Sequence, residues 1–265
     1  MENTIKVPTV AEMMASGEKP DILFWVGCSG SFDDRARKIT KAMVKILAKT
    51  GVKYAVLGAE ESCTGDPAKR AGNEFLFQMQ AMQNIQVLNG YEITKIVTAC
   101  PHCFNTLKNE YPELGGDYEV IHHTQLIQTL INEGKLKITG GETFKGQRIT
   151  FHDPCYLGRA NDVYEAPREA LMKLDAELVE MKRCKSKGLC CGAGGAQMFK
   201  EAEPGNKEVN IERTEDALEI RPTIIATGCP FCNTMMTDGV KNFNKEAEIQ
   251  VMDVAELIAQ AADIL

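Results

Sequence analysis

The chain has 265 residues, 44% hydrophobic and 25% charged, a balance that suits a folded protein and not a disordered one. Its 37 acidic against 30 basic residues leave a net charge of −7, the wrong sign for a general nucleic-acid or anionic-membrane binder. No apolar run approaches the roughly 20 residues that span a bilayer, and the opening residues lack the basic-then-apolar pattern of a secretory signal. The expected location is therefore cytoplasmic, where the ten cysteines stay reduced and a disulfide framework is the weaker reading.

Residues 1–20 read as an amphipathic or extended leader. A short apolar run near 22–26 reads as a buried strand that delivers Cys28. From Ala36 to Ala48, apolar residues at 36, 39, 42, 43, 46 and 47 form one helix face. A strand is expected near 53–57 ahead of Cys63, a helix over Phe75–Ile85, and a strand near 95–98 ahead of Cys100-Pro101-His102-Cys103. A strand near 118–121 ends at His122-His123 and leads into an amphipathic run. The stretch Gly134–Gln147 holds four glycines and no strong periodicity, so it is the linker candidate, with a boundary near 140. The same order then begins again. A strand near 148–151 leads through His152-Asp153-Pro154 to Cys155, and helical periodicity covers Val163–Leu174. Strands near 177–181, 223–227 and 249–252 follow, with Cys190-Cys191-Gly192 and Cys229-Pro230-Phe231-Cys232 between them.

The cysteines carry the repeat in register. Cys28 to Cys63 spans 34 intervening residues, and so does Cys155 to Cys190. Cys63 to Cys100 spans 36, and Cys190 to Cys229 spans 38. Each series closes on Cys-Pro-x-Cys, with Asn105-Thr106 or Asn233-Thr234 just beyond; Cys184 alone has no counterpart. A duplication is the reading. The expected organisation is a leader (1–20), a first repeat (21–140) and a second repeat (141–265). The expected fold class is α/β: two tandem pseudo-symmetric half-domains of short parallel strands with helices. In such units the loops at the carboxyl ends of the strands converge, and every motif cysteine lies there.

Cys-x-x-Cys places two thiolates on one turn, ready for a metal or a cluster, and a helix starting after it aims free N–H groups at the sulfur. The second half collects Cys155, Cys190, Cys191, Cys229 and Cys232. Five thiolates exceed the four of a tetrahedral zinc site or an ordinary four-cysteine cluster.

This order, Cys, then Cys-Cys-Gly, then Cys-Pro-x-Cys, resembles the cysteine-rich CCG domain found in the B and D subunits of heterodisulfide reductase and in the glycolate oxidase iron–sulfur subunit. The resemblance covers about 21–265 as two copies. It implies a non-cubane [4Fe–4S] cluster on the five cysteines of the second repeat. The first copy departs from the pattern, because Thr64 stands where a second cysteine belongs. Its four thiolates, Cys28, Cys63, Cys100 and Cys103, leave three occupants open: a [4Fe–4S] cluster with altered ligation, zinc, or nothing. By this ranking Cys191→Ser abolishes the redox signal and Cys100→Ser spares most of it.

His152 and Asp153 are candidates for tuning a cluster or relaying a proton, against a plain turn. His102 reads as packed or solvent-facing, with a missing fifth ligand as the rival. His122 and His123 read as structural. Cys184 reads as an incidental loop cysteine, although its basic neighbours would lower its pKa. Gly192-Ala193-Gly194-Gly195 lacks the spacing of a dinucleotide loop.

The resemblance implies an oxidoreductase subunit that relays electrons between a flavoprotein or ferredoxin-type partner and a disulfide, a quinone or another acceptor. Direct disulfide reduction belongs to the same set. With no bilayer-spanning run in the chain, quinone access requires a membrane partner. The alternative is a zinc-stabilised scaffold that docks redox partners without carrying electrons.

Overall fold

The computed structural model describes residues 5–201 and 204–265. Residues 1–4 of the expected leader lie outside them.

Two four-stranded parallel sheets form the frame. The first holds β1 (Ile22–Trp25), β2 (Tyr54–Ala55), β3 (Lys95–Thr98) and β4 (Glu119–His122), in the order β2-β1-β3-β4. The second holds β5 (Arg148–Phe151), β6 (Glu177–Leu178), β7 (Ile224–Thr227) and β8 (Gln250–Asp253), in the order β6-β5-β7-β8. The register repeats too. Leu23 pairs with Ile96 and Ile96 with Val120; Ile149 pairs with Ile224 and Ile224 with Gln250. The central strands are buried on both faces, which explains their apolar runs without alternation. In each sheet the strand order reverses direction between the two central strands. Loops leaving their carboxyl ends there diverge and open a crevice.

Helices fill the space between the sheets. In the first half α1 (Val10–Ala15) is followed by α2 (Gly27–Phe32), α3 (Ala36–Lys49), α4 (Asp66–Arg70), α5 (Glu74–Gly90), α6 (Pro101–Asn105) and α7 (His123–Asn132). The second half has α8 (Glu165–Leu171), α9 (Val209–Glu219), α10 (Pro230–Asn242) and α11 (Val254–Ala261). The apolar stripe of α3, Ile39, Ala42, Met43, Ile46 and Leu47, is buried as its spacing predicts. It faces the other half: α3 packs on α11, and α7 packs on α8. That pairing, each helix against the non-equivalent helix of the other repeat, is what a pseudo-two-fold axis produces. The seam is one continuous core, running from Ile22 and Phe24 through Ile127 and Phe151 to Ile258. Arg35 pins its edge with two hydrogen bonds to Glu256, at 2.9 and 2.8 Å, and a third to the Val251 carbonyl.

Two segments differ from their sequence reading. The described part of the leader docks on the first half: Val10 N–H donates to the Val56 carbonyl, and Val10 and Met13 join that half's core. The glycine-rich stretch 134–147 also folds back. Leu136 and Phe144 are buried in the seam, and Gly140 N–H donates to the Ala261 carbonyl. Two apolar side chains among the glycines are enough to tie it down.

Candidate metal centre

Each cysteine of the two motif sets is held by a repeated backbone device. Cys28 enters α2 directly after β1, and Cys155 enters the turn after β5. Cys100 and Cys229 occupy the N-cap positions of α6 and α10, with Pro101 and Pro230 in the first turn. Proline costs nothing there, because that N–H has no helical acceptor. Cys103 and Cys232 lie one turn on, so each Cys-Pro-x-Cys presents two sulfurs from a helix start.

The Cys-Thr-Gly and Cys-Cys-Gly loops share one backbone shape. Gly65 and Gly192 sit at φ 89° and 91°, a conformation that side chains disfavour. A Cβ on Gly65 would also meet the Phe77 ring at 2.8 Å. The turn aims Gly65 N–H at Cys63 Sγ, 3.5 Å away, and Gly192 N–H at Cys190 Sγ, 3.3 Å away. Thr64 takes the place of Cys191. Its Oγ1 lies 3.8 Å from Cys103 Sγ, where Cys191 Sγ lies 3.3 Å from Cys232 Sγ. All ten cysteines are free thiols.

The structure brings Cys28, Cys63, Cys100 and Cys103 together, and separately Cys155, Cys190, Cys191, Cys229 and Cys232. It also joins the two sets. Cys100 and Cys229, pseudo-equivalent across the axis, interact directly through their thiols. Nothing in the spacing signals this contact, because it depends on how two separate sheets pack.

Crowding governs the ionisation. The Cys155 and Cys191 thiols, with Gly192 N–H, hold Cys190 far below the ordinary thiol range. Cys190 in turn pushes Cys155 up, and pushes Cys191 up to about 12. In the first set the Cys28 thiol and Gly65 N–H lower Cys63 to about 7 against the effect of burial, while Cys63 and burial raise Cys28. Burial leads in pushing Cys229 up, and its thiol neighbours lead in pushing Cys232 up. Neighbouring sulfurs share protons because several adjacent thiolates repel one another in a low dielectric. A cationic centre removes that conflict, so the donor chemistry of both sets fits a thiolate-bound metal or cluster.

The surrounding residues separate by role. Both carboxylate oxygens of Asp153 are engaged. They take two hydrogen bonds from Arg168, at 2.7 and 2.9 Å, and one from Lys185 N–H at 2.7 Å. Asp153 thus ties α8 to the loop approaching Cys190. His152 Nδ1 lies 3.0 Å from Arg213 Nε. His102 is no fifth ligand through Nδ1, which lies 3.0 Å from Asp66 Oδ2. Its ring reaches over the axis to Tyr156, 4.5 Å between centroids, and to Phe231, 5.5 Å. Burial raises the Asp66 carboxyl, but His102 and Arg70 overcome it and hold Asp66 below the usual range. His122 and His123 are buried in a chain from Thr124 through both rings to Asp253, with His123 Nε2 2.8 Å from Asp253 Oδ1. The Cys184 thiol is raised, by burial and then by Glu180, which outweigh Arg168 and Lys185. Its basic neighbours in sequence thus fail to activate it.

Two participants escaped sequence reasoning. Glu61 accepts Val26 N–H at 3.0 Å and Gly27 N–H at 2.6 Å, fixing the entry to Cys28. Its position two residues before Cys63 was a usable signal. Arg213 reaches His152 from α9, 61 residues away in sequence, and had none.

The family model of the CCG cysteine-rich domain matches residues 22–108 and 149–237. Among curated proteins, "Probable iron-sulfur-binding oxidoreductase FadF" of Bacillus subtilis is 46% identical over 257 residues, 97% of this chain and 36% of its own length. "EtfAB:quinone oxidoreductase" of Syntrophomonas wolfei is 43% identical, over 93% of this chain and 35% of its own. A subunit of the dihydromethanophenazine:CoB–CoM heterodisulfide reductase of Methanosarcina barkeri is 34% identical, over 92% and 59%. The chain spans about a third of the length of the first two.

Proposed function

The chain belongs to the CCG cysteine-rich domain family, and from that membership we propose that it is an iron–sulfur electron-transfer module of an oxidoreductase. The observation that carries the reading is the contiguity of two thiol sets, five sulfurs beside four, on one pseudo-two-fold axis, with Cys100, Cys103, Cys191, Cys229 and Cys232 buried and the other four half-buried. The names of the relatives, an iron–sulfur-binding oxidoreductase, a quinone oxidoreductase and a part of heterodisulfide reductase, support it.

In this reading Cys155, Cys190, Cys191, Cys229 and Cys232 hold a non-cubane [4Fe–4S] cluster. Cys28, Cys63, Cys100 and Cys103 hold a second cluster or zinc. A bound cluster supplies one-electron chemistry, and zinc supplies none. The chain's own residues prepare the place. Gly65 and Gly192 aim N–H groups at sulfur, the helix starts at Pro101 and Pro230 add positive dipole ends, and Tyr156 and Phe231 cover the junction beside His102. The Cys100–Cys229 contact makes the two centres neighbours, so with a cluster in each set electrons would pass between them inside this chain.

The proposed partners are a flavoprotein or ferredoxin-type donor and a disulfide- or quinone-linked acceptor. No helix among the described residues is long and apolar enough to cross a membrane. In this reading the quinone route runs through a membrane-bound partner, and these residues form the electron relay of that assembly.

The test is iron, zinc and acid-labile sulfide per chain after anaerobic purification. About eight irons mean clusters in both sets, and about four irons with one zinc mean a cluster beside a structural site. Zinc without iron or sulfide overturns the electron-transfer reading and leaves a scaffold.

A further inference from the structure

Behind the Cys191–Cys232 pair lies a buried polar chain that the proposed function does not use. His152 follows β5 and is fully buried. One of its ring nitrogens stands within 4.8 Å of the Cys191 and Cys232 sulfurs, so by residue type the three form a metal-binding triangle. The hydrogen bonding points elsewhere.

Arg213 Nε lies 3.0 Å from His152 Nδ1. A guanidinium stays protonated and only donates, so Nδ1 is the acceptor. A neutral imidazole that accepts at Nδ1 carries its proton on Nε2. Nε2 is buried and has no partner among the described residues. An imidazolium would donate at both nitrogens, so acceptance at Nδ1 by itself requires the neutral ring.

Arg213 is itself fixed. It is fully buried, and its Nη1 donates to the Arg183 carbonyl at 2.6 Å and to Asp216 Oδ2 at 3.2 Å. Arg183 closes onto the same carboxylate at 2.6 and 2.9 Å. Asp216 and Arg183 therefore set the plane of the guanidinium, and the guanidinium sets the imidazole.

We propose that His152 offers its Nε2–H to the sulfur of a cluster held by the second set and is not a metal ligand, and that Arg213 is the positioning residue that fixes its tautomer. The inference rests on reading the second set as an iron–sulfur site. A ligand must offer a lone pair, and the lone pair of His152 is directed at Arg213. An N–H donor instead stabilises the more negative, reduced state and raises the potential.

Two measurements test it. In the metal-free chain, long-range 15N–1H correlation of the His152 ring should show the Nε2–H tautomer; an Nδ1–H ring overturns the proposal. In the loaded protein, His152→Met should weaken the reduction equilibrium at least tenfold, a drop of about 59 mV for one electron. Iron and sulfide content should stay the same. His152→Gln keeps an N–H donor of similar reach and should restore most of the potential. Arg213→Gln, which keeps a donor but loses the fixed charge, should fall between. Unchanged potential in His152→Met, or loss of iron in His152→Gln, overturns the donor role. Absence of iron and sulfide from the unsubstituted protein would instead overturn the proposed function, and the tautomer measurement would still stand.

Discussion

A single substitution distinguishes the two thiol sets. Thr64 keeps the backbone of the Cys-Cys-Gly loop, down to the left-handed glycine and its N–H on sulfur, and changes only the donor. A neutral hydroxyl is a poor ligand for a soft metal beside four thiolates. The sequence ranking took Cys100 as a probe of the first set alone, and the structure revises that choice. Cys100 touches Cys229 across the axis, whereas Cys28 interacts mainly with Cys63. Cys28→Ser is therefore expected to lower metal content in the first set while leaving the redox signal of the second. Cys100→Ser is expected to disturb both, and Cys191→Ser to abolish the second. Metal content with electron paramagnetic resonance on the reduced proteins checks this, and equal loss in all three variants would contradict it.

Helices matter here as the frames on which sulfur is mounted. Helix α10 carries Cys232 in its first turn and lies against α9, which carries Arg213. The contact is close because Gly239 has no side chain: a Cβ there would meet Thr214 Oγ1 at 2.0 Å and Thr214 Cβ at 3.0 Å. Thr214 cannot swing clear, since its hydroxyl donates to the Asn210 carbonyl at 2.8 Å. Gly239→Ala must push the helices apart, at about 1–3 kcal/mol for an overpacked core. In a chain of this length that lowers Tm by several degrees. Thermal denaturation checks it, and an unchanged Tm would show that α9 and α10 separate freely. The spacing of Ala36–Ala48 already announced the buried stripe of α3. The α9–α10 contact was not legible, because a glycine inside a helix reads as a weakness until its neighbour is known.

At the scale of the molecule, burial makes stability depend on pH. His122 and His152 are fully buried, and burial first, then the neighbouring His123 or Arg213, holds them far below the usual imidazole range, His152 at about 3. Above about pH 6.5 both rings are neutral folded or unfolded. Below it the unfolded chain takes up two protons that the fold refuses. Stability then falls with pH by about 1.4 kcal/mol per unit for each ring. Glu61 opposes them: burial raises its carboxyl to about 7, so its contribution to stability grows as pH falls through that value. Two rings outweigh one carboxyl, and the metal-free chain is expected to lose stability from about pH 6.5 to about 4.5. Glu61→Gln should steepen that loss, and a flatter Tm profile in the variant would contradict the assignment. The sequence by itself determined the duplication, the eight strands and the α/β class. Those features are local or repeat at fixed spacing, and strand ends in a parallel sheet deliver whatever follows them to one edge. Only the tertiary structure decided that the sets touch at Cys100 and Cys229, that His102 crosses the axis, and that Arg213 fixes His152. These depend on how the apolar faces of α3, α7, α8 and α11 pack into one seam, and an apolar face specifies that it must be covered without specifying by what.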